Sequence, residues 1–260
     1  ISVNSFAKDK VTIKIGDFFF FFHVFYKCSM EKWLEKAESS ESDIMDIKYF
    51  GAGRLAGATE LLDAVNTGMA DMGVLVIDYW PDRLPLSAFC SLPYVFPNPT
   101  KGTEIIHQLL KGTMGKEYEK EGIQPVMVLL CTPRQITLAE KSVDELGDFK
   151  GLKLRTLGWE AKTLEWLGAT TVFMSPTEGT TAQKTGVIDG TTQTYYGMPG
   201  WGLQDITEQV VELRGHTHTF VVLVANANKW KEWPQEVKDA LFRISQEVEE
   251  EWVSCQQEKD

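Results

Sequence analysis

Residues 151–193 read GLKLRTLGWEAKTLEWLGATTVFMSPTEGTTAQKTGVIDGTTQ, and this stretch decides the fold. Leu152 to Thr156 forms a short strand that carries Arg155 at its end and turns at Gly158. A helix follows, with Ala161, Leu164 and Leu167 spaced for one buried face and Gly168 set as its C-terminal stop. Thr170 to Met174 is β-branched and aromatic, the composition of a strand. A second helical piece ends near Gly186, and Val187–Ile188 starts a third strand. Strand–helix–strand–helix–strand order is the unit of a parallel sheet, because parallel neighbours need a crossover between them. Ligands of open α/β sheets bind beyond the carboxyl ends of the strands. Arg155 stands at such an end and is a candidate anion clamp.

The same alternation continues on both sides. Val11 to Ile15 alternates apolar and polar before Gly16, and a helix over residues 25–37 turns Met30, Trp33, Leu34 and Ala37 to one side. Met45 to Phe50 is a second strand, and Met72 to Ile77 a buried third. The turn GAGRLAG (51–57) lacks both the P-loop lysine and the GxGxxG order, so phosphate binding is not expected. Tyr79, directly after the third strand, offers a ring face and a hydroxyl at another carboxyl end. Val126 to Cys131 crosses into a second domain, Arg134 opens the next strand, and Thr219 to Ala225 returns. Val237, Leu241, Ile244, Val248 and Trp252 mark an amphipathic helix led in by Pro234. These crossings predict domain I from residues 1–130 plus 219–254, and domain II from residues 131–218.

Composition narrows the function. The 260 residues are 43% hydrophobic and carry a formal net charge of −11, which argues against nucleic acid or an anionic membrane as partner. An anionic ligand would meet a repulsive overall field, so the position of each arginine matters more than the number. No apolar run reaches the ~18 residues of a membrane span. Residues 1–10 do not resemble a signal peptide, so an exported protein would be in its mature form. Cys28, Cys90, Cys131 and Cys255 lie far apart without CxxC spacing, and buried free thiols are the simplest expectation, although an export compartment would permit a disulfide. GxSxG, HExxH and cysteine–histidine signatures are missing, so no catalytic residues are expected. His216 and His218 would share a strand face, but spacing suggests no third ligand, and neither metal nor cofactor is expected.

The segments GLKLR, LGAT (167–170), Met174 through Glu178 and TGVIDG (185–190) resemble the core of the solute-binding proteins of tripartite ATP-independent periplasmic (TRAP) transporters, the DctP-like family. The resemblance extends over GAGRLAGATELLDAVNTGMADMG (51–73), LPYVFPN (92–98), the passage from EKEGIQPV (119–126) to TPRQIT (132–137), and NKWKEWPQEVKDAL (228–241). It implies an α/β, two-domain periplasmic-binding-protein fold (type II-like) with a ligand cleft between the domains. The implied function is capture of a small organic acid anion in the periplasm, by a monomer, for delivery to TRAP membrane subunits. Arg155 would grip a carboxylate, with Arg134 as a second arginine near the ligand and Gln193 as an amide partner. Tyr79, Trp159, Tyr195 and Trp201 are candidate cleft aromatics, each equally readable as core. Phe20 and His23 belong to a loop that lines the cleft in the family, so the run Phe18–Phe22 is either an aromatic wall or a buried strand extension. Pro176 stands where the family commonly has an aromatic cleft residue. The family also continues past residue 260 into a long bracing helix. Carboxylates, including 2-oxo acids and aromatic acids, and sulfonates would all satisfy the clamp; the aromatic content favours a compact or flat monoanion over a sugar acid. A binding protein of an ATP-driven importer, or a periplasmic enzyme acting on an organic acid, are the alternatives.

Overall fold

The computed structural model describes residues 10–213 and 217–258. They build two five-stranded sheets with helices packed on them, a two-domain α/β arrangement. The first sheet contains β1 (Val11–Gly16), β2 (Met45–Phe50), β3 (Met72–Val76), β4 (Ile123–Pro133) and β10 (His218–Asn226). The second contains β5 (Gln135–Leu138), β6 (Lys153–Arg155), β7 (Thr170–Val172), β8 (Gly190–Gln193) and β9 (Gln209–Val211). Their orders are β2-β1-β3-β10-β4 and β7-β6-β8-β5-β9. β1 runs parallel to β2 and β3, and β6 runs parallel to β7 and β8, as the strand–helix alternation requires. β10 is antiparallel to β3 and β4, and β5 is antiparallel to β8 and β9, so each sheet is mixed.

Local chemistry shifts some of the expected boundaries. The helix expected over 25–37 is two helices, Val24–Cys28 and Met30–Glu41. The Ser29 hydroxyl donates to the Phe25 carbonyl at 2.6 Å, and its backbone leaves the helical region (φ −125°, ψ −81°). The strand expected to start at Val187 starts at Gly190, because the amides of Val187 and Ile188 still donate to the Ala182 carbonyl of the preceding helix.

The larger core lies around the first sheet, with Ile13, Trp33, Leu61, Leu75, Phe220 and Trp252 among its members. A smaller one, including Ile136, Phe149, Leu154 and Leu164, serves the second. β4 is an edge strand, and the helix Gln235–Gln257 covers it. Glu249 accepts the Val128 amide at 2.5 Å, Gln256 accepts the Thr132 amide at 2.9 Å, and the Trp252 indole donates to the Leu130 carbonyl at 2.9 Å. These bonds occupy groups that would otherwise offer an open edge. The same helix is tied to the first one by a Cys28–Cys255 disulfide, with Cα atoms 5.7 Å apart, which corrects the free-thiol expectation for that pair. Cys90 and Cys131 are buried as thiols.

Candidate functional site between the two sheets

The carboxyl ends of four strands converge on one small cavity. Phe18 and Phe19 follow β1, and Tyr79 lies in the single turn Ile77–Tyr79 after β3. Arg155 ends β6, and Gln193 ends β8. With Trp201, Arg134, Leu157, Pro176 and Thr219 these residues line a small cavity of about 40 Å³ that is open on one side. The walls come from both sheets, and the cavity lies where ligands of such sheets bind.

The two arginines are equally buried, each 3% exposed, and differ in what surrounds them. Arg134, in the crossover between β4 and β5, uses every nitrogen on the protein. Its Nη2 pairs with Asp78 Oδ2, its Nη1 donates to Glu160 Oε2 at 2.9 Å, and its Nε donates to Thr219 Oγ1 at 2.8 Å. Burial alone would lower its pKa, but the two carboxylates more than offset that and hold the guanidinium above its ordinary value. Glu160 also accepts hydroxyls from Thr156, Thr192 and Thr217 at 2.5–2.9 Å. The triad joins Asp78, after β3, to Glu160, in the helix after β6, and so spans the seam between the sheets.

Arg155 has no carboxylate partner among the described residues. Its Nε and Nη2 donate to the Met174 carbonyl at 3.1 and 3.0 Å, and Nη2 also meets the Tyr79 hydroxyl at 3.1 Å. Its Nη1 makes no hydrogen bond to the described residues. Burial lowers its pKa and the nearby Arg134 charge adds to that effect, against the Tyr79 hydroxyl and the more distant Glu160 carboxylate. Its stem lies flat on the helix Pro176–Lys184 at Gly179, where an added Cβ would stand 3.2 Å from Arg155 Cδ. Tyr79, accepting from Arg155, keeps its own proton to donate.

Aromatic rings cover the remaining wall. Phe18 and Trp201 are nearly parallel (14°) with centroids 6.4 Å apart, and Phe18 meets Tyr79 edge-on at 6.1 Å. Phe19 tilts against Trp201 at 5.9 Å. Within the phenylalanine run, Phe18 and Phe19 reach the cavity, whereas Phe20 is not in its lining, meets Trp201 edge-on and stacks with Phe22. His23 caps its helix through Nδ1 and packs against Phe19 and Trp201 outside the cavity lining. Trp159 is 41% exposed and not in the lining, and the Tyr195 hydroxyl donates to Glu212 at 2.7 Å on the surface. Gln193 lines the cavity while its carbonyl oxygen accepts the Thr194 amide at 2.8 Å. Phe18 and Phe19 were missed as individual lining residues; their place directly beyond the carboxyl end of β1 was the available signal. His216 lies outside the described residues, and His218 Nδ1 meets the Cys131 carbonyl at 2.7 Å. Among the described residues, no three metal-ligating side chains are grouped to hold an ion, and no helix is long and apolar enough to cross a membrane.

This architecture is that of a two-lobed solute-binding protein. Residues 24–260 match the family model for bacterial extracellular solute-binding proteins, family 7 (DctP), and the chain belongs to that family. It is 24% identical over 223 residues to the C4-dicarboxylate-binding periplasmic protein DctP of Rhodobacter capsulatus, covering 83% of this chain and 65% of that one. In fold it is similar to a marine metagenome TRAP solute-binding protein specific for aromatic acid ligands, in complex with 3-hydroxybenzoate. The TM-score is 0.85 at 22% identity, over 97% of this chain and 82% of the other. A TRAP solute-binding protein from Haemophilus influenzae with bound L-gulonate aligns with a TM-score of 0.83 at 20% identity, over 96% and 82% of the two chains.

Proposed function

We propose that this chain is an extracytoplasmic receptor for a small organic acid, that the acid's carboxylate binds Arg155, and that the acid's body is flat and largely apolar. One observation carries the reading: Arg155 is a buried cation without a carboxylate partner among the described residues, set in a cavity walled by aromatic rings. A buried charge is costly until it is paired, and an anion entering the cavity would pair it. One carboxylate oxygen would accept from Nη1 and the other from the Tyr79 hydroxyl, which donates to none of the described residues. Charge-assisted bonds of this kind contribute on the order of 1.5–3 kcal/mol each. Together with stacking against Phe18 and Trp201, that supports roughly micromolar affinity, about 8 kcal/mol.

Arg134 would act differently. Its nitrogens are committed to Asp78, Glu160 and Thr219, so it shapes the seam and leaves the ligand to Arg155. The cavity is small, about 40 Å³, and open on one side, so the acid would enter with the lobes apart and be held as they close around it. Only the closed form gains contacts from both sheets, which couples occupancy to closure. Delivery of the acid from the periplasm to TRAP membrane subunits completes the proposed role. The relatives that bind 3-hydroxybenzoate and L-gulonate frame the choice of ligand, and the aromatic lining favours the former type.

Native mass spectrometry of the purified protein, followed by thermal-shift screening with benzoate, 3-hydroxybenzoate, succinate and L-gulonate, tests this. Benzoate-type acids should raise the melting temperature most. A larger shift with L-gulonate or succinate would overturn the flat-acid reading, and no shift with any acid would overturn the receptor reading.

A further inference from the structure

The loop that carries the aromatic wall is held by a buried acid that has no part in gripping a carboxylate. Asp17 follows β1 and is fully buried. Its Oδ1 accepts the Phe19 amide at 2.9 Å, and its Oδ2 accepts the Tyr49 hydroxyl of β2 at 2.5 Å. The backbone around it is tied as well: the Asp17 amide donates to the Phe50 carbonyl, the Gly53 amide to the Asp17 carbonyl, and the Ala52 amide to the Phe19 carbonyl, at 2.9–3.0 Å. The two residues inside this clamp, Phe18 and Phe19, are the ones in the run that reach the cavity. Phe21 and Phe22, beyond it, are exposed.

No cation pairs with Asp17 among the described residues. Burial raises its carboxyl to about 7, against the lowering effect of the Tyr49 hydroxyl and of the Phe19 and Phe18 amides. The titratable groups packed around it are Tyr49 on β2 and Tyr26 on the helix Val24–Cys28, with Arg54 beside Tyr49. An ionised Asp17 accepts from the hydroxyl and the amides together. A proton on Oδ2 would face the Tyr49 hydroxyl hydrogen and force that hydroxyl to reverse.

We infer that Asp17 and Tyr49 are positioning residues that fix the Phe18–Phe19 wall, and through it set the preference of the site for a flat aromatic acid over a non-planar acid of equal charge. This rests on the reading of the cavity as an organic-anion site. Neither residue touches the cavity, so neither should alter how the carboxylate itself is held.

Calorimetry at pH 8 with benzoate and pyroglutamate, on wild type, Asp17→Asn, Tyr49→Phe and Arg155→Lys, tests the inference. Arg155→Lys should weaken both acids alike. Asp17→Asn and Tyr49→Phe should weaken benzoate about three- to tenfold, the range of an aromatic contact, and leave pyroglutamate within about twofold. Lowering the pH from 8 to 6 should move the wild-type ratio of the two affinities toward that of Asp17→Asn, whose own ratio should stay constant. An unchanged ratio in both variants, or equal loss of both acids, overturns the inference while the Arg155 result stands. If Arg155→Lys changes nothing, the site reading falls and this inference with it. Should Asp17→Asn fold poorly, Tyr49→Phe, which keeps the ring, decides alone.

Discussion

Replacing Arg134 by methionine should cost stability before it costs affinity. The guanidinium bridges Asp78 and Glu160, both fully buried, and bonds Thr219. Methionine fills much of the space and leaves two carboxyl groups without their cation. Glu160 keeps the hydroxyls of Thr156, Thr192 and Thr217, which solvate it in part. Removing one partner of a buried ion pair costs about 3–5 kcal/mol. At about 2–4 °C per kcal/mol for a chain of this size, the melting temperature should fall by about 6–20 °C. The deficit should also depend on pH. Burial already raises the Asp78 pKa, and Arg134 is the main influence holding it down. Without Arg134 the folded-state pKa rises further above the unfolded value. The penalty is then fully present above the folded pKa and shrinks as pH falls through it, because the native state takes up the proton. Thermal unfolding followed by circular dichroism at pH 8 and pH 5, without ligand, reads both effects. A melting temperature within about 2 °C of wild type at pH 8, with affinity for acids abolished, would refute the argument and return Arg134 to the ligand.

Three further outcomes follow from other parts of the structure. The disulfide closes a loop of 227 residues, so Cys28→Ser with Cys255→Ser should lower stability by up to roughly 5 kcal/mol in the chain-entropy picture, measurable by urea unfolding. Asp17 and His23 should oppose each other in acid. Asp17, raised from 3.8 to about 7, adds stability as pH falls through that window, worth roughly 4 kcal/mol. His23, lowered by burial from 6.5 to about 3, loses stability as pH falls between those values, roughly 5 kcal/mol. Asp17→Asn should therefore be more acid-sensitive than wild type and His23→Phe less, in urea melts at pH 4.5 and 7.5; equal pH dependence in all three would contradict the assignment. Gly200→Ala should be destabilising by about 1–3 kcal/mol, since a Cβ there overlaps the His23 ring; a neutral result by the same assay would show that the contact relaxes freely.

The parallel strand order around Arg155 was legible because it is written locally. A β-branched strand, a glycine stop and a helical spacing each act within a few residues, and the strand-end position of Arg155 follows from them. The fate of Arg134 was not legible. Its two carboxylates come from positions 56 and 26 residues away, and only the fold brings them to it. The disulfide has the same character, joining helices 227 residues apart with no local motif to announce it. The phenylalanine run was ambiguous for another reason. Alternation along a strand cannot say where the strand releases its loop, and here that point is set by Asp17, whose partner Tyr49 belongs to the neighbouring strand. Ser29 could have been suspected, since a serine inside a helix can bond back to the carbonyl four residues earlier.

The central claim is that one guanidinium, in no ion pair with a carboxylate among the described residues, captures the ligand's charge. Titrating benzoate into wild type and Arg155→Lys by calorimetry, at matched pH and salt, addresses it most directly. Lysine keeps the charge but cannot hold the Met174 carbonyl and the Tyr79 hydroxyl while still presenting a donor to the acid, so affinity should fall at least about tenfold, about 1.4 kcal/mol. Equal affinity in the two proteins would contradict the claim.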